Sequence, residues 1–507
     1  MRGAWNKLDA NAAAKPIGKW LWFGIILLLL LWWTRIHALI ALPLHNDEGL
    51  HLTRAVEVWN GHPFWEISDG KIINHWLIAV FYPQNAPDFV GRIATVFLAL
   101  IGLAAGYDLL RREFGAWAAI FGGCFWLLAP PVFFYERLAL SDTESAALGV
   151  LAVWAALRMA RSGKAWMALA TGAALSAALL FKYTAAPFIA SVLLIAFLVG
   201  TLPWRTRLRN AAIIAAVGVL AFTVPVVYTV VRGKSFGIAL GWVGVTTSGS
   251  LSQNIERFLL QVTDTGGWSW SFLWLVGLAL LVGVMLARRR WRWGVVLAAS
   301  AIPLLTVLLF GKEIMPRHSL TGLPILLLMA GAGFGLVIEM MPPSLNNLRW
   351  LGVVLVIGWL AFDAYIYMDT AYQEPADVGL PPLDQDQFIT GHSAGFGLRE
   401  AMRDLPNHVQ SSGDLILSSM FPDSCRRANF YAVNQHILIC TAAPGVDKLE
   451  EALKVSPRVL VLVEKPPVGA DMRSIPDIVA TQVADYPRPG ETDKSASVTL
   501  WEVRKKQ

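Results

Sequence analysis

Trp20-Leu21-Trp22-Phe23-Gly24-Ile25-Ile26-Leu27-Leu28-Leu29-Leu30-Leu31-Trp32-Trp33, followed shortly by His45-Asn46-Asp47-Glu48-Gly49, decides how this chain is read. The first string opens an apolar run of about 20 residues, long enough to cross hydrocarbon as a helix whose backbone groups bond to one another. Runs of that kind recur from Trp20 to Phe362 and then stop. Of the 507 residues 55% are hydrophobic and 15% charged, and the mean hydropathy is +0.52. Soluble domains carry about 25% charged residues. A water-soluble fold cannot bury so much apolar surface, so the soluble classes are excluded and a polytopic α-helical membrane protein is expected.

Eleven spans are predicted, near residues 20 to 40, 89 to 110, 114 to 131, 140 to 160, 166 to 181, 184 to 202, 210 to 231, 270 to 287, 293 to 310, 319 to 340 and 350 to 368. Trp20, Trp22, Trp32, Trp33, Trp268, Trp270, Trp291 and Trp293 fall at their ends, as interfacial anchors do. With the amino terminus in the cytoplasm, Arg111-Arg112, Arg158 to Lys164, Arg205 to Arg209, Arg288 to Arg292 and Arg349 all reach that same side. Topology thus accounts for the net charge of +6, and no nucleic-acid partner is implied. Met1 to Lys19 is basic and lacks a small-residue cleavage site, so the first span reads as uncleaved.

The same orientation sends the first loop, 41–88, the later loops and the tail out of the cytoplasm, from a cell inner or plasma membrane. Residues 1–370 form the transmembrane domain, 371–387, with its proline- and acid-rich stretch, a linker, and 388–507 a soluble extracytoplasmic domain. In that tail Leu415 to Leu417, Ile437 to Ile439 and Val459 to Val463 are of strand length and Leu449 to Val455 has helical period, which predicts a small α/β fold. Cys425 and Cys440 share the tail and would pair in an oxidising compartment, while Cys124 lies in an apolar run; no zinc spacing exists.

Asp47 and Glu48 follow the first span, where two adjacent carboxylates can deprotonate a hydroxyl or hold a cation. Helix capping by Asn46 or Asp47 explains the same acids. Asp142, in Glu136-Arg137-Leu138-Ala139-Leu140-Ser141-Asp142, faces the same side, and it or Ser141 equally suits an N-cap. Lys182 interrupts Leu179-Leu180-Phe181-Lys182-Tyr183 at the tip of a short hairpin; a cation there requires an anion or must snorkel to headgroups. Lys312 and Arg317 bring two more cations to that face, arginine offering a fork that grips phosphate, with Glu313 or headgroups as the alternative partners. His51, His62 and His75 are ordinary interfacial contacts unless they join Asp47 around a metal.

These strings together resemble the GT-C glycosyltransferases, and within them the protein O-mannosyltransferase and lipid A aminoarabinose transferase group, over roughly residues 18 to 345. The resemblance implies a catalytic Asp47 with Glu48 beside it, Asp142 as a second acid, and Lys182, Arg317, Arg137 and Lys312 around the phosphate of a polyprenyl-phosphate sugar donor, with no metal or other cofactor required. His51 and His75 are then substrate contacts. The chain departs from that group at Ile73-Asn74-His75-Trp76-Leu77, where Pro-Pro-Leu-Tyr-Tyr-like residues are usual, and at Arg317-His318 in place of Arg-Tyr. The expected activity is inverting transfer of the sugar to an extracytoplasmic glycan, lipid or protein, membrane lipids being the other partners. A transporter or lipid-linked-sugar flippase with a periplasmic binding domain is the competing class, in which Lys182 and Asp142 would line a pathway. In a third, the membrane half is a scaffold for a binding tail.

Overall fold

The computed structural model describes residues 18–67, 70–83, 86–234, 251–311, 314–410, 415–420, 422–432, 438–441, 446–464, 477–490 and 497–506. The chain is a multi-pass membrane protein. Among the described residues seven helices are long and apolar enough to cross a bilayer, and Ala116–Leu127 with Pro130–Glu136, bent by 63°, makes an eighth. Shorter apolar helices at Trp20–Ile36, Ala165–Phe181 and Tyr183–Leu198 complete a set that coincides one for one with the eleven expected spans. The bend follows from Pro130 and Pro131, which cannot continue the preceding hydrogen-bond ladder and start a new helix instead.

Two expectations are corrected. Residues 251–266, read as part of an outer loop, belong to the helix Leu251–Ala287, which breaks at Gly267 (φ 74°, ψ 161°). Trp270 is fully buried beside Gly266 and is not an interfacial anchor, whereas Trp22, Trp33, Trp268 and Trp291 are exposed as anchors should be.

Contacts divide the chain into two compact units, with a cut at 373/374 inside the expected linker and most of the first loop grouped with the tail. One comprises residues 1–38, 65–74 and 93–373; the other comprises 39–64, 75–92 and 374–507. The stretch read as a linker consists of short turns, Pro375–Asp377, Pro382–Gln385 and Asp386–Thr390, with Phe388 and Ile389 buried. Pro375 and Pro382 stand at the first helical position of Pro375–Asp377 and Pro382–Gln385, where a missing N–H is harmless.

Within the second unit, β1 (Leu415–Ser419), β2 (Leu438–Thr441), β3 (Arg458–Glu464), β4 (Ile478–Pro487) and β5 (Ser497–Lys505) form one sheet in the order β2-β1-β3-β5-β4. β1 pairs parallel with β2 and β3, and β5 runs antiparallel between β3 and β4. Every residue of β3 is buried, the pattern of a strand covered on both faces. Leu460 and Leu462 pack with Leu398, Met402 and Leu405 of the helix Leu398–His408. Val459, Val461 and Val463 point the other way, to Leu449 and Ala452 of the helix Val446–Val455. Cys425 is disulfide-bonded and Cys124 is free; the side chain of Cys440 lies outside the described residues.

Candidate active site

In the membrane unit, the helix Ser141–Ser162 is capped at Leu140 with no side-chain bond, so neither Ser141 nor Asp142 is the cap. Asp142 sits in the first turn, where its carboxylate receives Lys182 Nζ at 2.6 Å; both side chains are buried. Lys182 reaches that point because the helix Ala165–Phe181 ends on it in an extended conformation (φ −161°, ψ 135°) before the turn Tyr183–Ala185 begins.

Residues 65–74 are laced onto this hairpin tip. Ile72 and Ile73 donate their N–H groups to Leu180 O at 2.7 and 3.2 Å, Tyr183 Oη donates to Ile67 O at 2.9 Å, and Ile67, Ile72 and Leu180 form a small core. The lacing brings Lys71, which the sequence reading missed, within electrostatic reach of Lys182 and His318. The 3-10 turn Pro316–Thr321 carries Arg317 and His318, both acting on Asp142 and on Lys182 or each other. Burial, with Lys71 and Arg317 nearby, pushes the Lys182 ammonium down to about 8 against the opposing pull of Asp142. The same burial lowers His318, leaving a neutral imidazole at pH 7. One acid and three cations thus act on one another around this hairpin tip. Lys312 lies outside the described residues.

Arg137 is held by backbone carbonyls and aromatic rings. Its Nη2 donates to the carbonyls of His37 and Ala38, and its guanidinium lies over the rings of Phe133 and Tyr372 at 4.9 and 4.8 Å. It anchors the end of the first span, beside the buried pair of Arg35 and Glu136 at 2.8 Å.

In the second unit, the helix Asn46–Trp59 is capped by His45, whose Nδ1 accepts from Asp47 N at 3.1 Å. Glu48 completes the capping box by accepting from His45 N at 2.9 Å. Its two oxygens also receive Arg92 Nε and Nη2, each at 2.8 Å, with both side chains fully buried. Capping therefore accounts for Glu48, which acts by holding the loop. Asp47, half-buried, contributes only its N–H to the cap. His51 and His75 are buried with ring centroids 5.2 Å apart. Arg54 Nη1 stands 3.4 Å from His75 Nε2 and its guanidinium covers the Phe64 ring. The two imidazoles, Arg54 and Phe64 pack into one cluster, with the Phe64 ring edge-on to His75.

Residues 69–229 match the family model of dolichyl-phosphate-mannose-protein mannosyltransferases. No curated protein sequence matches the chain. Among solved structures, ArnT from Cupriavidus metallidurans bound to undecaprenyl phosphate superposes with a TM-score of 0.61 at 15% identity, over 96% of this chain and 98% of that one. Its apo state gives 0.61 at 16% identity, over 95% and 97%. The mycobacterial arabinofuranosyltransferase AftD gives 0.52 at 16% identity, and the match covers 97% of this chain but 40% of that longer one. The chain therefore has the fold of the GT-C membrane glycosyltransferases.

Proposed function

We propose that the protein transfers a sugar from a polyprenyl-phosphate carrier to an extracytoplasmic acceptor. Lys182, Arg317 and Lys71 neutralise the donor phosphate, and Lys312 of the same loop as Arg317 adds to them. Asp142 holds Lys182 in place until the phosphate arrives and then shares it. Fixed cations of this kind stabilise the negative charge that grows on the phosphate as its bond to the anomeric carbon breaks, without solvent reorganisation. Asp47 accepts the proton of the acceptor hydroxyl as that oxygen attacks the anomeric carbon from the opposite face, so the configuration inverts and polyprenyl phosphate leaves. His51 and His75 shape the acceptor side. No step draws on a metal.

The observation that carries this reading is the buried Lys182–Asp142 pair at a hairpin tip, with Arg317, His318 and Lys71 in electrostatic reach of it. The likeness to a protein whose structure holds undecaprenyl phosphate supports the choice of carrier. Transport is disfavoured, because a pathway needs charges along its length, and these are gathered at helix ends. Binding of labelled undecaprenyl phosphate to the purified protein tests the assignment. Lys182→Met and Arg317→Met are expected to weaken it about tenfold or more, the value of a charge-assisted hydrogen bond. Unchanged affinity in both variants would remove these cations from the donor site.

A further inference from the structure

The segment that runs from residue 39 into Asp47 has no regular secondary structure before Asn46, so its carbonyls need partners from elsewhere. Arginines supply all six between Leu39 and Leu44. Arg92 Nη1 donates to Leu39 O and Leu42 O at 2.9 Å and its Nη2 to Pro43 O at 2.8 Å. Arg399 Nη1 donates to Ala41 O at 2.6 Å and to Ile40 O at 3.4 Å. Arg427 Nη1 donates to Leu44 O at 3.1 Å.

Two of those three arginines come from the carboxy-terminal domain, and other groups there address the same stretch. Tyr431 Oη accepts from Leu44 N at 2.8 Å. Asn46 Nδ2 donates to Asp423 Oδ2 at 3.1 Å, and Phe388 lies against the His45 ring at 4.6 Å. Arg427 is itself buried and fixed by the carbonyls of His392 and Ser393. The fit leaves no slack. A Cβ on Gly49 would lie 2.6 Å from Arg427 Cγ, and one on Gly395, at φ +84°, would lie 2.6 Å from Leu44 O.

We infer that the carboxy-terminal domain is the positioning device for Asp47, with Arg427, Arg399 and Tyr431 as positioning residues that clamp the backbone entering its helix. The catalytic half of this inference rests on Asp47 acting as proposed above; the clamp itself does not. A base must stand within about 1 Å of its place, and remote changes that let it drift cost on the order of a hundredfold in rate. A segment without its own hydrogen-bond ladder holds such a position only if something outside it does the holding.

The test uses the full-length protein in nanodiscs, with Arg427→Met and the milder Tyr431→Phe, which removes one hydroxyl and guards against a failure of Arg427→Met to fold. Amide hydrogen exchange is followed over residues 39–50 and over the membrane helices, alongside transfer from a labelled undecaprenyl-phosphate sugar. Exchange in 39–50 is expected to rise about tenfold or more with the membrane helices unchanged. In parallel kcat should fall about ten- to a hundredfold at constant donor KM. Unchanged exchange in both variants overturns the clamp, and faster exchange with unchanged kcat overturns its catalytic purpose. Lack of transfer by the wild-type protein with every donor tried would count against the proposed reaction, and the exchange data would still decide the clamp.

Discussion

Asp142 and Lys182 are each costly to bury alone and tolerable together. Lys182→Met should therefore cost about 3 to 5 kcal/mol of stability, by stranding a buried carboxylate, and Lys182→Met with Asp142→Leu should recover most of it. Thermal unfolding in detergent measures both; a double variant no more stable than the single one would deny the pairing. In the proposed donor site Lys182 also predicts a sensitivity to pH. Its ammonium is held down to about 8, so it is charged below that pH and loses its proton above it. Donor KM should be flat up to pH 8 and then rise by up to about tenfold per unit, and a KM constant through pH 9.5 would exclude a charged Lys182 from phosphate binding. Sequence alone could not choose between capping and ion pairing for Asp142, because the first turn of a helix suits both. The deciding partner stands forty residues downstream. Glu48 does both: its capping box is local and readable, whereas its pair with Arg92, though both residues are visible in the sequence, leaves no periodic sign.

Among the elements, the helix Leu323–Met340 crosses Ala116–Leu127 at backbone contact. A Cβ on Gly331 would lie 2.3 Å from Gly122 N, and one on Gly335 would lie 2.3 Å from Ala118 N. This is small-residue packing, the means by which membrane helices associate when no hydrophobic driving force separates protein from lipid. Gly331→Leu should abolish monodisperse protein on size-exclusion chromatography, while Gly358→Leu, where a side chain meets open space, should leave the profile unchanged; a normal Gly331→Leu profile would contradict the close crossing. The spans were legible because each is a long apolar run with polar ends. β1, β2 and β3 were legible because each contains a short continuous apolar string, and β3 is a strand covered on both faces. β4 was not, since it lies at the sheet edge with alternate residues outward and reads as a polar stretch. The partition of the first loop was hidden for a different reason. Its cohesion with the tail rests on arginine forks and backbone carbonyls, which leave no hydrophobic period to find.

For the whole molecule, the alignment of basic clusters implies one orientation, and cysteine labelling tests it. In sealed cells a membrane-impermeant maleimide should modify Asn60→Cys above the wild-type background and should modify Arg289→Cys only after permeabilisation. The reverse result would invert the protein in the bilayer. Both positions are exposed. The chemistry assigned to the outer side depends on a carboxylate in a loop whose own sequence says little beyond two adjacent acids. Transfer of a labelled sugar from undecaprenyl phosphate by purified protein, compared between wild type and Asp47→Asn, addresses it most directly. Removing a general base typically lowers the rate by about 10²- to 10⁴-fold, so turnover should fall in that range with donor binding intact. Turnover by Asp47→Asn equal to that of the wild type would contradict the mechanism.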